Sequence, residues 1–342
     1  MSVIKVNKIE STGTTAGGVE VDSSGHVQVD GVQMPTAGVL SNRNLIINGA
    51  MQVSQRATQV TGVTTSGYNT CDRIHLAVGT LGTWTVDQST DAPDGFANSF
   101  KVTCTTADAS PAAADVLAII HRIEAQNLQH LKFGTSPAES LTLSFWVKSN
   151  KTGAASFDMY QPDASNRQIS KSYTISSANT WEYKTVTLPG DAAGAFNNDN
   201  GIGLVIDFWL NSGSNYSSGS HQTTWGGLIQ TSRNASNLGV GGAVSDHFAI
   251  TGVQLEVAEK APPFEHRSFG DELARCQRYF EKQEVYQFSG APVSSVFHVI
   301  KRASPTLTFT GAATINVQGT STYSINSGSS YTSGIMTASA EL

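Results

Sequence analysis

The sequence predicts an all-β protein, and three observations carry that reading. Charged residues make up only 14% of the 342-residue chain, against about 25% in an average globular protein. Their place is taken by Ser, Thr, Asn and small apolar residues, with 32 glycines. That composition suits short strands joined by many turns rather than helices. Several stretches also alternate strictly between apolar and polar residues, the period of a strand with one buried face. In chain order we read an N-terminal β-hairpin stalk, a jelly-roll β-sandwich body, a short helix and a small C-terminal β tip, assembled as a trimer.

Residues 1–43 form the stalk and its linker, and contain no aromatic residue. Val19-Glu20-Val21 and Val27-Gln28-Val29 flank Asp22-Ser23-Ser24-Gly25, a hairpin signal. Ile4, Val6 and Ile9 extend the apolar pattern upstream. A two-stranded hairpin with one valine face is marginal in water by itself. Two readings stay open. Either Ile4, Val6, Ile9, Val19, Val21, Val27 and Val29 are buried against other copies in an intertwined homotrimer, or the segment is a floppy leader.

Residues 44–269 read as one sandwich. Leu141–Lys148, Thr180–Leu188 and Gly203–Leu210 alternate, with turn clusters at Ser149–Gly153 and Asn197–Gly201 between them. The core faces would be Leu141, Leu143, Phe145 and Val147 in one strand, Leu204, Ile206, Phe208 and Leu210 in another, and Phe157 and Met159 in a third. The opposite faces then carry Trp146, Tyr160 and Trp209 with Asp158 and Asp207. Flat aromatics stack on sugar rings and carboxylates accept bonds from hydroxyls, so these five residues are a candidate glycan platform. A subunit interface would use the same Trp and Tyr residues as readily. The stretch from Val116 to Ile123 fits both periods and is read as a strand ending in a short turn.

Residues 270–283 hold the connecting helix, with Asp271 and Glu272 at its start and Arg275 and Arg278 further on, the order a helix dipole favours. Residues 284–342 return to β character as the tip. A unit near 60 residues is marginal alone, so Phe288, Val296, Phe297, Ile300, Leu307 and Phe309 are expected to be buried between or beneath chains. Tyr323 and Tyr331 lie in Ser/Gly-rich surroundings and are further candidate glycan contacts, because tyrosine supplies rigid amphipathic area.

Other classes are disfavoured. A formal net charge of −6, without any Lys/Arg run, argues against nucleic acid. No stretch approaches the roughly 18 consecutive apolar residues of a membrane span, and the opening MSVIKVNKIE lacks the pattern of a secretory signal. Cys71, Cys104 and Cys276 are odd in number and widely spaced, and read as buried, reduced thiols. GxSxG, HExxH and GxxxxGK[ST] are all absent. No catalytic residue, metal or cofactor is expected.

Several blocks carry a resemblance: Asn44–Arg56, Tyr68–Arg73, His121–Leu128, Leu141–Ser149, Trp181–Gly190, Ile250–Val257, Pro263–Leu273, Cys276–Phe280, Arg302–Thr306 and Ala340–Leu342. In this order they resemble a widespread family of bacteriophage tail fibre and receptor-binding proteins, over most of residues 44–342. Asn48-Gly49 after an apolar strand is also similar to the opening of jelly-roll carbohydrate-binding modules. Those often hold a structural calcium through acidic residues whose places are taken here by Gln52 and Thr251-Gly252, so no ligand is carried over. The resemblance implies a homotrimeric, structural tail fibre of the virion, assembled in the host cytoplasm. Its N-terminus would dock on other phage tail or adaptor proteins, and the rest would adhere to a host surface polysaccharide. The alternatives are a capsule or polysaccharide depolymerase, a purely structural virion decoration without receptor binding, and a free carbohydrate-binding module.

Overall fold

The computed structural model describes residues 8–9, 18–21, 27–29, 32–33, 42–287, 293–311, 314–317, 319–326 and 332–342. The first strands, β1 (Lys8–Ile9), β2 (Val19–Val21), β3 (Val27–Val29) and β4 (Val32–Gln33), form a small antiparallel sheet in that order. Val19 lies opposite Val29 and Val21 opposite Val27, so side-chain alternation puts all four on one face. That face stays between 36% and 46% exposed. Ile4 and Val6 lie outside the described residues, while Ile9 belongs to β1.

The body is a sandwich of two antiparallel six-stranded sheets. Its strands are β5 (Gln59–Val63), β6 (His75–Gly79), β7 (Thr83–Ser89), β8 (Ser99–Thr106), β9 (Val116–Glu124) and β10 (Leu141–Ser149). They continue with β11 (Gly153–Gln161), β12 (Arg167–Ile175), β13 (Glu182–Leu188), β14 (Ile202–Ser212), β15 (Gly226–Gly227) and β16 (His247–Val257). The first sheet runs β13-β10-β16-β8-β7-β5 and the second β15-β12-β11-β14-β9-β6. The chain therefore crosses repeatedly between layers, in jelly-roll manner. The core faces read from alternation are buried without exception: Leu141, Leu143, Phe145, Val147, Phe157, Met159, Leu204, Ile206, Phe208 and Leu210. Each such side chain contributes about 1.5–3 kcal/mol by leaving water. Phe145 joins the layers, meeting Tyr173 and Phe208 edge-on at 5.0 Å each.

One irregularity organises the start of the body. Ser144 of β10 pairs with Gln254, but Trp146 pairs with Thr251, so β16 bulges at Gly252-Val253. Gly252 has φ +60°, the left-handed region open to glycine. The freed groups of Val253 are taken up by the incoming chain: Asn44 Nδ2 donates to Val253 O at 3.0 Å and Val253 N donates to Gly49 O at 2.9 Å. Asn48 folds the next turn, donating to Val53 O and Asp72 O at 2.8 and 2.9 Å. A Cβ on Gly49 would sit 2.1 Å from Val253 O. The Asn48-Gly49 pair is thus required by close backbone approach.

A single turn, α1 (Ser214–Ser217), follows β14, and α2 (Phe269–Gln277) follows β16. Ser268 caps α2, accepting from Asp271 N at 3.2 Å. The helix is shorter than expected, because residues 280–283 already belong to a strand. In the tip, β17 (Phe280–Gln287), β22 (Thr332–Ser339) and β19 (Thr306–Phe309) form one sheet. A second contains β18 (Val293–Val296), β21 (Thr322–Asn326) and β20 (Thr314–Val317). Phe297, Tyr323, Ile325 and Met336 make its small core, with Leu307 and Phe309 partly buried against it. In the single chain Val296 and Ile300 are exposed, at 65% and 61%. Val296 precedes the inward Phe297, and neighbours on an extended chain point to opposite sides. Phe288 lies outside the described residues.

Six of the sequence blocks quoted above, those holding Arg56, Arg73, Glu124, Arg278, Arg302 and Glu341, meet where sandwich joins tip. Arg73, with no exposed side-chain area, pairs with Glu341 and lies 3.6 Å over the Tyr279 ring. Arg56 reaches the same carboxylate at 3.0 Å and covers Phe280 at 3.6 Å. Arg278 grips Glu124 with two bonds of 2.8 Å, and Arg302 donates to Ala340 O at 2.6 Å and Asn200 O at 2.8 Å. Lys301, also fully buried, pairs with Glu281 and donates to Gln277 O at 2.5 Å.

Replacing Glu341 by Ala leaves Arg73 buried without its counter-charge, a change that costs about 3–5 kcal/mol. The expected result is a fall in Tm of roughly 5 °C in a thermal unfolding scan of the full chain. A Tm unchanged from wild type would show that this junction carries no stability.

Candidate functional site

The sequence places Trp146, Tyr160 and Trp209 on faces turned away from the core, and so they are. They do not share a platform. Trp146 belongs to β10 in the first sheet, whereas Tyr160 and Trp209 belong to β11 and β14 in the second, on the opposite side of the sandwich.

The outer face of the second sheet is filled by the chain's own segment 213–245. Asp158 and Asp207 are directly opposite one another across β11 and β14. Between them lies Arg233, whose Nε donates to Asp158 Oδ2 at 3.1 Å and whose Nη2 donates to Asp207 Oδ2. Its guanidinium is flanked by the rings of Tyr160 and Trp209, 4.9 and 5.0 Å from their centroids. Trp209 Nε1 donates to Asp158 Oδ1 at 2.6 Å. Around this centre, Ser170 Oγ donates to Ser232 O at 2.8 Å, Ile229 N to Gln168 Oε1 at 3.0 Å and Asn234 Nδ2 to Ser212 Oγ at 2.8 Å. Asp158, Asp207 and Trp209 are consequently buried. That corrects the expectation that they offer themselves to a glycan: their polar atoms serve to hold a loop. It also removes them as a hydrolytic acid–base pair, since a fixed guanidinium occupies the space a glycosidic oxygen and water would need.

This cluster has one negative charge too many. Burial raises both carboxyls, and Arg233 only partly offsets it; Asp207 is pushed up to about 7 and Asp158 is also raised.

The outer face of the first sheet is only partly covered, and there Trp146 does lie in a cleft. Trp146 pairs in register with Tyr183 of β13, their rings 5.3 Å apart. Facing them are Phe96 and the segment Pro262–His266, in a cleft of about 360 Å³ that Asp94 also lines. Phe96 contacts Phe264 at 5.1 Å and His266 at 5.3 Å. The Gly252 bulge makes this possible, because a Cβ there would meet Phe96 at 2.7 Å and Trp146 at 3.0 Å. One step along the same strands, Trp181 Nε1 donates to Asp91 Oδ1 at 3.1 Å and Lys148 Nζ to Asp91 Oδ2 at 2.8 Å. Partial burial would raise the Asp91 carboxyl, but these bonds outweigh it and hold it below its ordinary value. Trp146 and Phe96 are half-buried while Tyr183 is 44% exposed, so flat apolar area faces solvent beside polar groups.

A larger cleft of about 740 Å³ borders His266 on its other side. Its charges are mutually engaged, Arg267 with Glu265 and Glu272, Arg275 with Asn42, Arg278 with Glu124, and it lacks an aromatic wall.

Tyr323 is corrected as well. It is 1% exposed, packed at a tilt against Phe297 with ring centroids 5.1 Å apart, and its hydroxyl donates to Gln283 Oε1 at 2.6 Å. Tyr331 lies outside the described residues. Sequence reasoning missed Tyr183, Phe96, Phe264 and His266. Alternation in the run 180–188 puts Trp181 and Tyr183 on one face, but only strand pairing brings that face beside Trp146. The three cysteines are buried free thiols. Among the described residues no three His, Cys, Asp or Glu side chains gather as a metal site would require, and no helix is long and apolar enough to cross a membrane.

No known family model matches the chain, and no curated protein matches it either. Among solved structures, it is similar to the enzymatically active domain of tailspike protein 4 of bacteriophage CBA120 at 13% identity and a TM-score of 0.31. That match covers 63% of this chain but only 21% of the tailspike chain. A putative sugar-binding protein of Bacteroides thetaiotaomicron matches at 12% identity, covering 63% of this chain and all of its own, with a TM-score of 0.35. The xylan-binding domain of Paenibacillus barcinonensis Xyn10C matches at 8% identity over 67% of this chain and 100% of the domain, TM-score 0.31. These are distant likenesses of shape.

The Arg233 cluster has a pH signature. The Asp158–Asp207 pair keeps a proton to higher pH in the folded chain, Asp207 being pushed up to about 7, whereas an unfolded aspartate releases it near about 3.9. Between these values the folded state binds more protons, so this group's contribution to stability falls as pH rises. Asp207→Asn is expected to remove a slope on the order of 1 kcal/mol per pH unit in that window. Denaturant unfolding of both proteins from pH 4 to 8 checks it; parallel curves would refute the assignment.

Proposed function

We propose that the chain is a trimeric phage tail fibre which adheres through the Trp146–Tyr183 cleft to an uncharged, hydroxyl-rich glycan on the host surface. The observation that carries this reading is the cleft itself. Trp146, Tyr183, Phe96, Phe264 and His266 place aromatic rings around an open groove, a surface on which a sugar's C–H face packs. Lys148, at its edge, is engaged by Asp91, so an acidic sugar gains no unpaired cation there. The virion role rests on the blocks resembling phage fibre proteins and on the N-terminal sheet. Its strands of two or three residues are too short for independent stability, and their valine face is buried if three copies wrap together. The N-terminal segment then docks on another tail or adaptor protein, and the virion is assembled in the host cytoplasm. Weak single contacts suffice, because three copies on several fibres multiply avidity.

Trp146→Ala is expected to weaken binding of a panel of neutral hexaoses (maltohexaose, cellohexaose, xylohexaose) about tenfold, read by titration calorimetry, with folding and assembly intact. A mutant that binds equally well removes the cleft from the glycan reading and favours a structural decoration. One that dissociates into monomers assigns Trp146 to a subunit interface. Release of reducing ends from host polysaccharide would instead identify a depolymerase.

Sedimentation of the full chain is expected to give three times the chain mass of 36.1 kDa, and Val21→Asp to shift it toward monomer. A wild-type chain that sediments as a monomer at micromolar concentration would refute the trimeric stalk.

A further inference from the structure

The wall of the aromatic cleft formed by Pro262–His266 is a segment without regular structure, and what fixes it comes from the far end of the sequence. Arg43 Nη1 donates to Glu256 Oε2 at 3.0 Å and Nη2 to Pro263 O at 3.2 Å. The backbone amides of Arg43 and Asn44 donate to the two oxygens of Glu265 at 3.0 and 2.9 Å. From beneath, Gln254 completes the frame: Glu265 N donates to Gln254 Oε1 at 2.7 Å, while Gln254 Nε2 donates to Glu256 Oε1 at 2.7 Å. Arg267 closes the other side, donating to Ile46 O at 3.0 Å and to Asn44 O. The residues so held, 263 and 265, bracket Phe264 and abut His266, which form the cleft wall. Glu256 is 2% exposed and Arg43 15% in their side chains, so the frame is largely shielded from competing water.

We propose that Arg43, where the N-terminal segment enters the body, is a positioning residue for the aromatic cleft, so that ligand binding and the state of the N-terminal segment are coupled. This rests on the cleft being the glycan site. The ring contacts of Phe264 and His266 are with Phe96 and each other, so the backbone frame helps to set their height above Trp146. A displacement of Arg43 and Asn44 draws Glu265 and Pro263 with it and changes the width of the groove. Coupling is reciprocal. A ligand that favours one wall position also favours one arrangement of residues 43 and 44, which offers the particle a route by which receptor engagement is felt at the stalk.

The test uses the full chain, with hydrogen exchange and hexaose binding measured on wild type, Arg43→Ala, Arg43→Lys and Trp146→Ala. Arg43→Ala is expected to accelerate exchange in residues 261–267 and to raise Kd for the best-binding hexaose about tenfold, while strand β10 exchanges as before. Lysine keeps the charge but lacks the planar two-nitrogen fork, so Arg43→Lys is expected to fall between. In wild type, saturating hexaose should slow exchange of the Arg43 and Asn44 amides, which a merely structural Arg43 would not produce. Unchanged exchange in Arg43→Ala, or faster exchange with unchanged affinity, overturns the coupling even if Trp146→Ala abolishes binding. If Trp146→Ala leaves binding intact, the glycan reading of the cleft is what has failed, and the coupling fails with it.

Discussion

At the bulge in β16 the backbone of Val253 leaves the ladder, and Asn44 and Gly49 supply the bonds it loses. Buried backbone groups left unpaired cost about 1–3 kcal/mol each, so the incoming chain cannot be moved without penalty. The same extra residue turns Gly252 under Phe96 and Trp146, where a side chain would collide with both. The entry of the body and the floor of its aromatic cleft are therefore two sides of one departure from regular pairing. A bulge bends the strand that carries it, and here the glycine it turns outward is what gives Phe96 and Trp146 their room.

Several of the chain's few charges lie in buried clusters. Arg233 pins segment 213–245, Arg73 and Glu341 pin the C-terminus, and Arg167 holds Asp191 through bonds of 2.6 and 2.9 Å. Buried ion pairs of this kind add little net stability over apolar packing, because desolvation opposes the Coulomb gain. Their geometry is demanding, however, and each links elements distant in sequence. In a sandwich whose layers would otherwise meet through interchangeable aliphatic side chains, they specify which loop covers which sheet.

The alternation of the strands made the core legible residue by residue, from Leu141 to Leu210, because burial against the opposite sheet has a period of two. It could not show that the second sheet's outer face is covered as well. Asp207 and Trp209 read as solvent-facing since nothing local in residues 202–212 announces that Arg233 will return to them. Tyr323 failed similarly: it sits in a polar, turn-like stretch, and its burial comes from Phe297, 26 positions earlier by sequence number. The cleft was half legible. Trp146 stood out from its own strand, but Phe96, Tyr183, Phe264 and His266 come from separate segments, and only pairing across β13, β10 and β16 brings them together.

The tip leaves the sandwich through Phe280 and comes back through Ser339, and these two residues are paired with each other. From there β17 and β22 run side by side as far as Gln287 and Thr332. Traction on the outer end of the tip is thus shared by two strands that start from one anchorage, where Arg56, Arg73, Arg278, Lys301 and Arg302 clamp both. Neither strand can be peeled away singly without its neighbour bearing the load.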